Sequence, residues 1–201
     1  MDRADGGIRR VPLSPDRYDE RWETLAATGA DVHGEADLVA SLVGPPGGLP
    51  VLDGGCGTGR IAVELARRGY GTVGVDVDVD LLTRAREKAP TLPWIEGDLA
   101  TLPATIATGP FAAAVLAGNV MIFVARGSEG AVLRNLADRL VPGGLVVAGF
   151  QLSGRLSPDE YDARATAAGL VAQERWSTWD RAPFTATSDY VVVVHSLPSK
   201  R

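Results

Sequence analysis

The sequence predicts an α/β fold, a doubly wound and mostly parallel sheet that ends in an antiparallel strand pair. Short apolar runs alternate with helical stretches between residues 50 and 150. These runs are continuously apolar, as expected for parallel strands that helices cover on both faces. The last two apolar runs have no helix between them, and they must therefore pair antiparallel, because a parallel pair needs a long crossover.

The chain before the sheet is predicted to be helical after a flexible start. Residues 1–13 carry Gly, Arg and Pro without periodicity, which indicates a flexible segment. Ser14-Pro15 offers an N-cap followed by proline at the first helical position, which predicts a helix over 14–29. A second helix is predicted over 34–43, because the Gly-Pro-Pro-Gly-Gly stretch that follows it is a strong breaker.

The central alternation predicts five strands and three helices. The strands cover residues 50–53, 72–76, 93–95, 111–117 and 145–150, and the helices cover 59–68, 80–88 and 128–140. In the tail, Ser157-Pro158-Asp159-Glu160 forms a capping box, and Gly169 closes the helix that it begins. The final strands are predicted over 171–178 and 189–195.

Composition excludes several classes of protein. The 201 residues suit one domain, and a net charge of −5 argues against a protein that holds nucleic acid through phosphate contacts. Cys56 is the only cysteine, so no internal disulfide can form, and one cysteine with two distant histidines does not suggest a metal site. The chain has no signal-like start and no run of membrane-spanning length, which predicts a cytoplasmic protein.

The segment with the clearest chemistry runs from Val51 to Arg60, in which an apolar strand ends in Asp53 and a glycine-rich turn leads into a helix. Glycines let the backbone approach a ligand closely, and a helix start presents unpaired N–H groups. A carboxylate before the glycines would repel a pyrophosphate. It suits a ligand that carries an ammonium group.

Three later polar residues repeat this geometry at nearly constant spacing. Asp76 follows Asp53 by 23 residues, Asp98 follows Asp76 by 22, and Asn119 follows Asp98 by 21. Each interval is one βα unit, so all four side chains are expected at the carboxyl edge of one sheet, where open α/β folds bind ligands. An acid at the end of the second strand is the usual partner of ribose hydroxyls.

These motifs resemble those of the class I S-adenosylmethionine-dependent methyltransferases, which have a Rossmann-like fold. The resemblance covers residues 50–150, and the terminal strand pair agrees with it by topology. It implies that the Asp-x-Gly-x-Gly-x-Gly loop holds the methionine part of the cofactor S-adenosylmethionine and that Asp76 binds the ribose. The cofactor-binding residues implied in this way are Asp53, Gly55, Gly57, Gly59, Asp76, Val77, Asp98, Leu99 and Asn119.

With this resemblance, the chain is predicted to consist of a flexible segment and one domain with three regions. After the flexible segment, one methyltransferase domain is predicted over 14–201, with N-terminal helices over 14–48, a cofactor-binding core over 49–150, and a C-terminal helix and strand pair over 151–201. Val77 would pack on the adenine, Asp98 would hold its amino group, and Leu99 would offer a backbone N–H to the ring.

Two other functions remain open. Residues 57–62 satisfy G-x-G-x-x-A, and Asp76 lies 19 residues after Gly57, as in nicotinamide-dependent oxidoreductases. Asp53, the Gly97-Asp98 pair and the terminal strand pair favour the methyltransferase. A module that binds the cofactor without catalysis is the second alternative, because methyl transfer can proceed without a dedicated acid or base.

The acceptor is predicted to be a small molecule, and no nucleic-acid or membrane partner is expected. DNA amino-methyltransferases carry (Asp/Asn)-Pro-Pro-Tyr at the fourth strand end, whereas this chain has Asn119-Val120-Met121-Ile122. The transfer itself would be a direct displacement at the sulfonium methyl group, with the protein aligning the reactants.

The predicted acceptor residues are those expected to overhang the same edge. The sixth strand should run parallel to the first five, so the connection after it reaches the cofactor. The set comprises Tyr18, Trp22, Met121, Phe123, Gln151, Asp180 and Phe184. His33, near a helix start, is the candidate base, although a structural role is the better interpretation, and His195 should point away from this edge.

Overall fold

The computed structural model describes residues 19–20, 24–25, 27–29, 31–105, 109–152 and 154–199. Most of the helix predicted over 14–29 lies outside these residues. The described helices are α1 (Gly34–Val43), α2 (Arg60–Arg67), α3 (Val79–Lys88), α4 (Val120–Phe123), α5 (Glu129–Ala137) and α6 (Pro158–Ala167). The described strands are β1 (Val51–Gly54), β2 (Thr72–Asp76), β3 (Trp94–Glu96), β4 (Phe111–Leu116), β5 (Leu140–Gln151), β6 (Val171–Trp176) and β7 (Tyr190–Ser196).

The strands form one sheet in the order β3-β2-β1-β4-β5-β7-β6. Strands β1 to β5 pair in parallel, and β7 is antiparallel to both β5 and β6. The strand β6 therefore points the same way as the first five. This arrangement confirms the predicted doubly wound, mostly parallel sheet with its antiparallel C-terminal pair.

Two helix starts follow directly from capping side chains. The Ser157 hydroxyl accepts a hydrogen bond from the Glu160 N–H at 3.2 Å, and the Glu160 carboxylate accepts one from the Ser157 N–H at 2.8 Å. This is the predicted capping box, and it is confirmed. At the start of α3, the Asp78 carboxylate accepts bonds from the N–H groups of Asp80 and Leu81, and satisfies two donors that have no partner inside the helix.

The boundary between α5 and β5 differs from the prediction. The helix predicted over 128–140 ends at Ala137, and β5 begins at Leu140, before the Pro-Gly-Gly stretch instead of after it. Leu140 pairs with Phe111, and the Gly143 N–H donates to the Leu197 carbonyl at 2.7 Å. Pairing with β4 on one side and with the residue after β7 on the other thus keeps this glycine-rich stretch in the strand, although its composition is typical of a turn.

Helices cover both faces of the sheet. On one face, α1 and α2 pack through Ala36, Val39, Ile61 and Leu65 against buried residues of β1 and β4. Cys56 of the glycine loop, residues of α2 and α3, and Trp94 form a smaller cluster on this face. On the other face, α5 and α6 contribute to the largest core cluster, which also takes residues from β1, β4, β5 and β7. Burial of this apolar surface is the main source of stability.

The strand order reverses between β1 and β4, because β2 and β3 extend to one side of β1 and the later strands to the other. Open α/β sheets bind their ligands in the crevice outside the carboxyl ends of the strands at such a switch point. The topology therefore predicts a ligand site at the carboxyl ends of β1 and β4.

Candidate cofactor and acceptor site

A cleft lies at this switch point. It is lined by Asp53, Gly55, Cys56, Arg60, Ile61, Ala117 and Gly118. The first five of these residues come from the end of β1, the glycine loop and the start of α2, and the last two follow β4. The cleft therefore joins the predicted cofactor loop to the fourth strand end.

Asp53 is the buried charge of this cleft, with only 2% of its surface exposed. One carboxylate oxygen accepts a hydrogen bond from the Ala62 N–H at 3.1 Å. Burial raises the pKa of Asp53 to about 7, the Ala62 hydrogen bond and the charge of Arg60 oppose the rise, and Asp76 and Glu35 add to it. A cationic ligand stabilises a buried carboxylate whose pKa is raised in this way, because the opposite charge favours the ionised form.

The glycine loop adopts a backbone that suits glycine. Gly55, Gly57 and Gly59 have φ angles of 70°, 54° and 83°, in the left-handed region. A Cβ at Gly55 would lie 2.4 Å from a methyl carbon of Val120, so this turn approaches α4 closely. The loop also holds Cys56, whose thiol pKa is raised by burial. Cys56 therefore packs as a small buried side chain, not as a nucleophile.

Asp76 closes β2 and supports the glycine loop. One carboxylate oxygen accepts the Gly57 N–H at 2.7 Å, and the other accepts the Asp78 N–H at 2.9 Å. An ionised carboxylate offers about four acceptor positions, so two remain for other donors. Asp76 is thus placed both to shape the loop and to receive hydroxyl groups at the edge of the sheet.

The predicted adenine side lies next along the edge. Val77 directly follows β2 and is 54% exposed, so its apolar side chain is accessible at this edge. Asp98 is exposed, and its carboxylate accepts the Ala100 N–H at 2.8 Å. Leu99 is buried in the largest core cluster, so only its backbone can serve a ligand, as the resemblance implies.

Asn119 connects the ends of β4 and β5. It has a left-handed backbone with φ of 71°, and its side-chain oxygen accepts the Gln151 N–H at 2.8 Å. Its own N–H donates to the Gly149 carbonyl at 3.3 Å. The predicted position at the sheet edge is therefore correct, and the side chain also holds two strand ends together.

The predicted acceptor residues are placed in three different ways. Met121 is fully buried in the largest core cluster, so its side chain packs inside the protein, and its contact with an acceptor stays a prediction. The turn at Asn119 starts the short helix α4, and this turn directs Met121 inward. Phe123 is half exposed at the end of α4, and Gln151 is exposed at the end of β5. Tyr18 and Trp22 lie outside the described residues.

The connection from β6 to β7 lies at the carboxyl edge, as predicted. Asp180 is exposed, and its carboxylate accepts a hydrogen bond from the Thr178 hydroxyl. Phe184 is partly buried against the largest core cluster, and the Arg175 guanidinium lies 5.6 Å from its ring centre. Phe184 therefore has a packing role, whatever it contacts in a complex.

The two histidines occupy different environments. His33 immediately precedes α1 and is half-buried, and its Nδ1 is buried without a hydrogen-bond partner. His195 lies near the end of β7, at the edge opposite the cleft, where its Nε2 is 3.2 Å from an Asp162 oxygen. Burial lowers the pKa of His195, and Asp162 opposes that shift.

Contacts between distant segments add residues that sequence reasoning missed. Arg60, the first residue of α2, forms a bidentate salt bridge with Glu35 of α1. The Trp179 indole N–H donates to the Tyr190 hydroxyl at 3.3 Å, and this ring lies against Gly149. Neither pair has a local sequence signal, because its members are far apart in the chain.

Another distant contact reaches the glycine loop. The buried Thr58 hydroxyl donates to the Asp19 carboxylate at 2.6 Å, and Lys88 of α3 binds the same oxygen at 2.6 Å. Asp19 thus ties the chain before α1 to the glycine loop and to α3.

Within the described ranges, no group of three or more His, Cys, Asp or Glu side chains is arranged to hold a metal ion. Nor does any helix in the described part of the chain have the length and apolarity needed to cross a membrane.

The fold is a doubly wound α/β sheet with a cleft at its switch point, and comparison identifies the family. A family model for a methyltransferase domain matches residues 51–144. The chain is 33% identical to a TehB-like SAM-dependent methyltransferase from Corynebacterium glutamicum, with a TM-score of 0.83 over 92% of this chain and 98% of that one. The protein belongs to the class I S-adenosylmethionine-dependent methyltransferases, whose cofactor is S-adenosylmethionine.

Other relatives act on amino sugars. The dTDP-3-amino-3,4,6-trideoxy-alpha-D-glucopyranose N,N-dimethyltransferase of Streptomyces venezuelae is 30% identical over 131 residues, which are 65% of this chain and 52% of that protein. The chain thus spans about half the length of this curated relative. A SAM-bound amino pentose methyltransferase from Micromonospora echinaspora has the same fold, with 18% identity and a TM-score of 0.71 over 95% of this chain and 100% of that one.

Proposed function

We propose that this protein transfers the methyl group of S-adenosylmethionine to a small-molecule acceptor. The observation that carries the proposal is the cleft at the switch point, where a buried Asp53 and the glycine loop face the end of β4. Asp76 and Asp98 follow along the same edge at the ends of β2 and β3.

The residues present fit the cofactor part by part. Asp53 would receive the ammonium group, because its raised pKa reflects burial without full compensation by a positive charge. The backbone of Gly55, Gly57 and Gly59 would hold the methionine chain. Asp76 would accept the ribose hydroxyls with the acceptor positions that Gly57 and Asp78 leave open.

The adenine would lie further along the edge. The exposed side chain of Val77 offers it an apolar surface, Asp98 would accept from its amino group, and the Leu99 backbone would serve the ring. Asn119, at the end of β4, would border the reacting centre.

When bound, the cofactor supplies an electrophilic methyl group on a positively charged sulfur. The contribution of the chain is alignment: the glycine loop and Asp53 fix the donor, and the ends of β4 and β5 limit the approach of the acceptor. Orientation of this kind removes much of the entropic barrier to a displacement between two bound reactants. The Asn119–Gln151 hydrogen bond would keep the two strand ends in one arrangement during the transfer.

A small acceptor is supported by three features. The net charge of −5 disfavours a phosphate-rich polymer. The segment after β4 lacks the two prolines and the aromatic residue that DNA amino-methyltransferases carry there. The S. venezuelae relative is named for methylation of a nucleotide-linked amino sugar, which is a small molecule.

Cofactor choice is the first test. S-adenosylmethionine or S-adenosylhomocysteine should raise the melting temperature, whereas NAD should not, because only the former two carry an ammonium group for Asp53. At a hundredfold excess over its dissociation constant, a ligand adds about 2.7 kcal/mol to the free energy of unfolding. Mass spectrometry of a metabolite mixture incubated with labelled cofactor then detects transfer. Stabilisation by NAD alone would contradict the proposal.

The connection between β6 and β7 provides a test of the acceptor side. Asp180→Ala and Phe184→Ala should leave the affinity for S-adenosylhomocysteine within about twofold, since changes outside a contact are usually within ±0.5 kcal/mol. Phe184→Ala should also lower the free energy of unfolding by about 1–3 kcal/mol, because its ring is partly buried. Both variants should reduce methyl transfer by loosening alignment.

Parallel measurements of melting temperature, cofactor affinity and turnover separate these effects. Asp180→Ala is the informative variant, because its exposed carboxylate contributes little to packing. Turnover that follows stability alone in both variants would place the acceptor elsewhere, with His33 the next residue to test.

A further inference from the structure

The salt bridge between Arg60 and Glu35 lies at the junction of the cofactor loop and α1. Arg60 directly follows Gly59, and its guanidinium binds the Glu35 carboxylate at 2.5 and 3.0 Å. It also donates to the carbonyl of Val32, just before α1. Only 13% of the Arg60 side chain and 12% of the Glu35 side chain are exposed. Bidentate geometry and burial make this one of the stronger ion pairs of the protein.

Arg60 also lines the cleft with Asp53. The charged groups that act on Asp53 come from three elements: Arg60 of α2, Asp76 of β2 and Glu35 of α1. Cys56 of the loop is a further titratable neighbour. Arg60 is the only cation among these groups. Asp53 is a buried anion that lines the same cleft, so a guanidinium that Glu35 no longer holds would have Asp53 as an alternative partner.

We propose that Glu35 is a positioning residue of the cofactor site, which holds the Arg60 guanidinium against the start of α1 and so keeps Asp53 available to the ammonium group of the cofactor. The inference rests on the proposed function, in which Asp53 binds that group. Without Glu35, Arg60 would compete with the cofactor as an intramolecular cation.

The plain structural alternative is that the pair only ties α1 to α2. A second salt bridge is a control for that role: Arg68, which directly follows α2 and also binds Glu64, binds Asp37 of α1 at 2.5 Å, outside the cleft. If tying the helices were the whole role, losing either pair would have similar consequences.

Replacement of Arg60 and replacement of Glu35 should shift the pH dependence of cofactor binding in opposite directions. Asp53 must be ionised to bind the ammonium group, so affinity falls as the pH falls below the pKa of about 7. Arg60→Met removes a charge that favours ionised Asp53 and leaves Glu35, which opposes it. Glu35→Gln removes the opposing charge and releases Arg60 toward Asp53.

The experiment measures the dissociation constant of S-adenosylhomocysteine by calorimetry at pH 6 and pH 7.5, below the usual α-amino pKa of about 7.7–8.0. A group with a pKa near 7 gives a ratio of about eightfold between the two pH values. A pKa one unit higher gives about 25-fold, and one unit lower gives about twofold. We expect the ratio to move toward 25-fold in Arg60→Met and toward twofold in Glu35→Gln. Glu35→Gln should also bind at least threefold more weakly than the unaltered protein at pH 7.5.

Three further variants complete the design. The double variant Glu35→Met with Arg60→Met removes both charges and should return the ratio to within about twofold of the original, and it avoids leaving one buried charge unpaired. Asp37→Asn and Arg68→Met should keep the original ratio. Melting curves confirm that each protein is folded.

The outcomes are distinguishable. Shifts of Glu35→Gln and Arg60→Met in the same direction, or no shift in either, would overturn the positioning role while the proposed function stands. Binding by the unaltered protein that does not depend on pH over this range would show that Asp53 does not hold the ammonium group, and an unaltered protein that does not bind S-adenosylhomocysteine at all would refute the proposed function itself.

Discussion

Gly59→Ala is expected to lower the free energy of unfolding by about 2–5 kcal/mol and to abolish measurable cofactor binding. Gly59 has a φ of 83°, a left-handed backbone that costs an alanine about 1–2 kcal/mol. A Cβ there would also lie 2.4 Å from the Trp94 ring. Overpacking of this kind costs a further 1–3 kcal/mol or so.

Trp94 cannot move aside easily. Its ring lies between Gly59 and Gly74, where a second Cβ would also come within 2.4 Å, and its indole N–H donates to the Ala89 carbonyl at 2.9 Å. The loop must therefore shift instead of the ring. Because Gly59 begins α2 beside the cleft, such a shift displaces the backbone that would hold the cofactor.

Gly47→Ala separates the two costs, since Gly47 has a φ of 95° with no atom within 4 Å of its added Cβ. It should lose only the backbone part, about 1–2 kcal/mol, and keep its affinity for S-adenosylhomocysteine. Urea denaturation and calorimetry on both variants make the comparison. Equal losses of stability would show that the contact with Trp94 is not tight.

The sheet edge could be predicted because βα units have similar lengths. Asp53 and Asp76 recur at the spacing of one such unit, and Asp98 and Asn119 continue it, so their common edge follows from counting residues. The antiparallel end of the sheet followed from the missing helix before β7. These inferences needed only connectivity and the direction of strands.

Side-chain direction was harder to predict. From the sequence after Asn119, both Met121 and Phe123 were expected to contact the acceptor. Asn119, which has a left-handed backbone, instead begins a single helical turn that buries Met121 and exposes Phe123. The turn-like composition before residue 145 similarly concealed the start of β5, because pairing with Phe111 and Leu197 decides that strand.

Partners that are distant in the chain leave no signal in one sequence. Arg60 looks like an ordinary first residue of a helix, and Glu35 looks like an acid that favours a helix start. Only the fold brings them together, 25 residues apart, beside Asp53. The same is true of Trp179 and Tyr190, which meet because β6 ends and β7 begins at the same edge.

Asp76→Ala should weaken binding of S-adenosylhomocysteine by about ten- to a hundredfold, equivalent to roughly 1.5–3 kcal/mol, in a protein that still folds. Two effects act together in this variant. The proposed hydrogen bonds to the ribose hydroxyls are lost, and the Gly57 N–H loses its acceptor at 2.7 Å, which loosens the glycine loop. An unpaired buried donor also lowers the free energy of unfolding by about 1–3 kcal/mol.

Two further variants assign the loss of affinity. Asp76→Asn keeps one oxygen for the Gly57 N–H, so it should retain most of the stability while still losing affinity, since it has no charge and only one acceptor oxygen. Asp78→Ala removes the cap of α3, costs about 1 kcal/mol of stability, and should leave affinity within about twofold. Calorimetry on the three variants, with melting temperatures alongside, tests this order. Unchanged affinity in Asp76→Ala would mean that the ribose binds elsewhere, and an equal loss in Asp78→Ala would mean that affinity merely follows the stability of this edge.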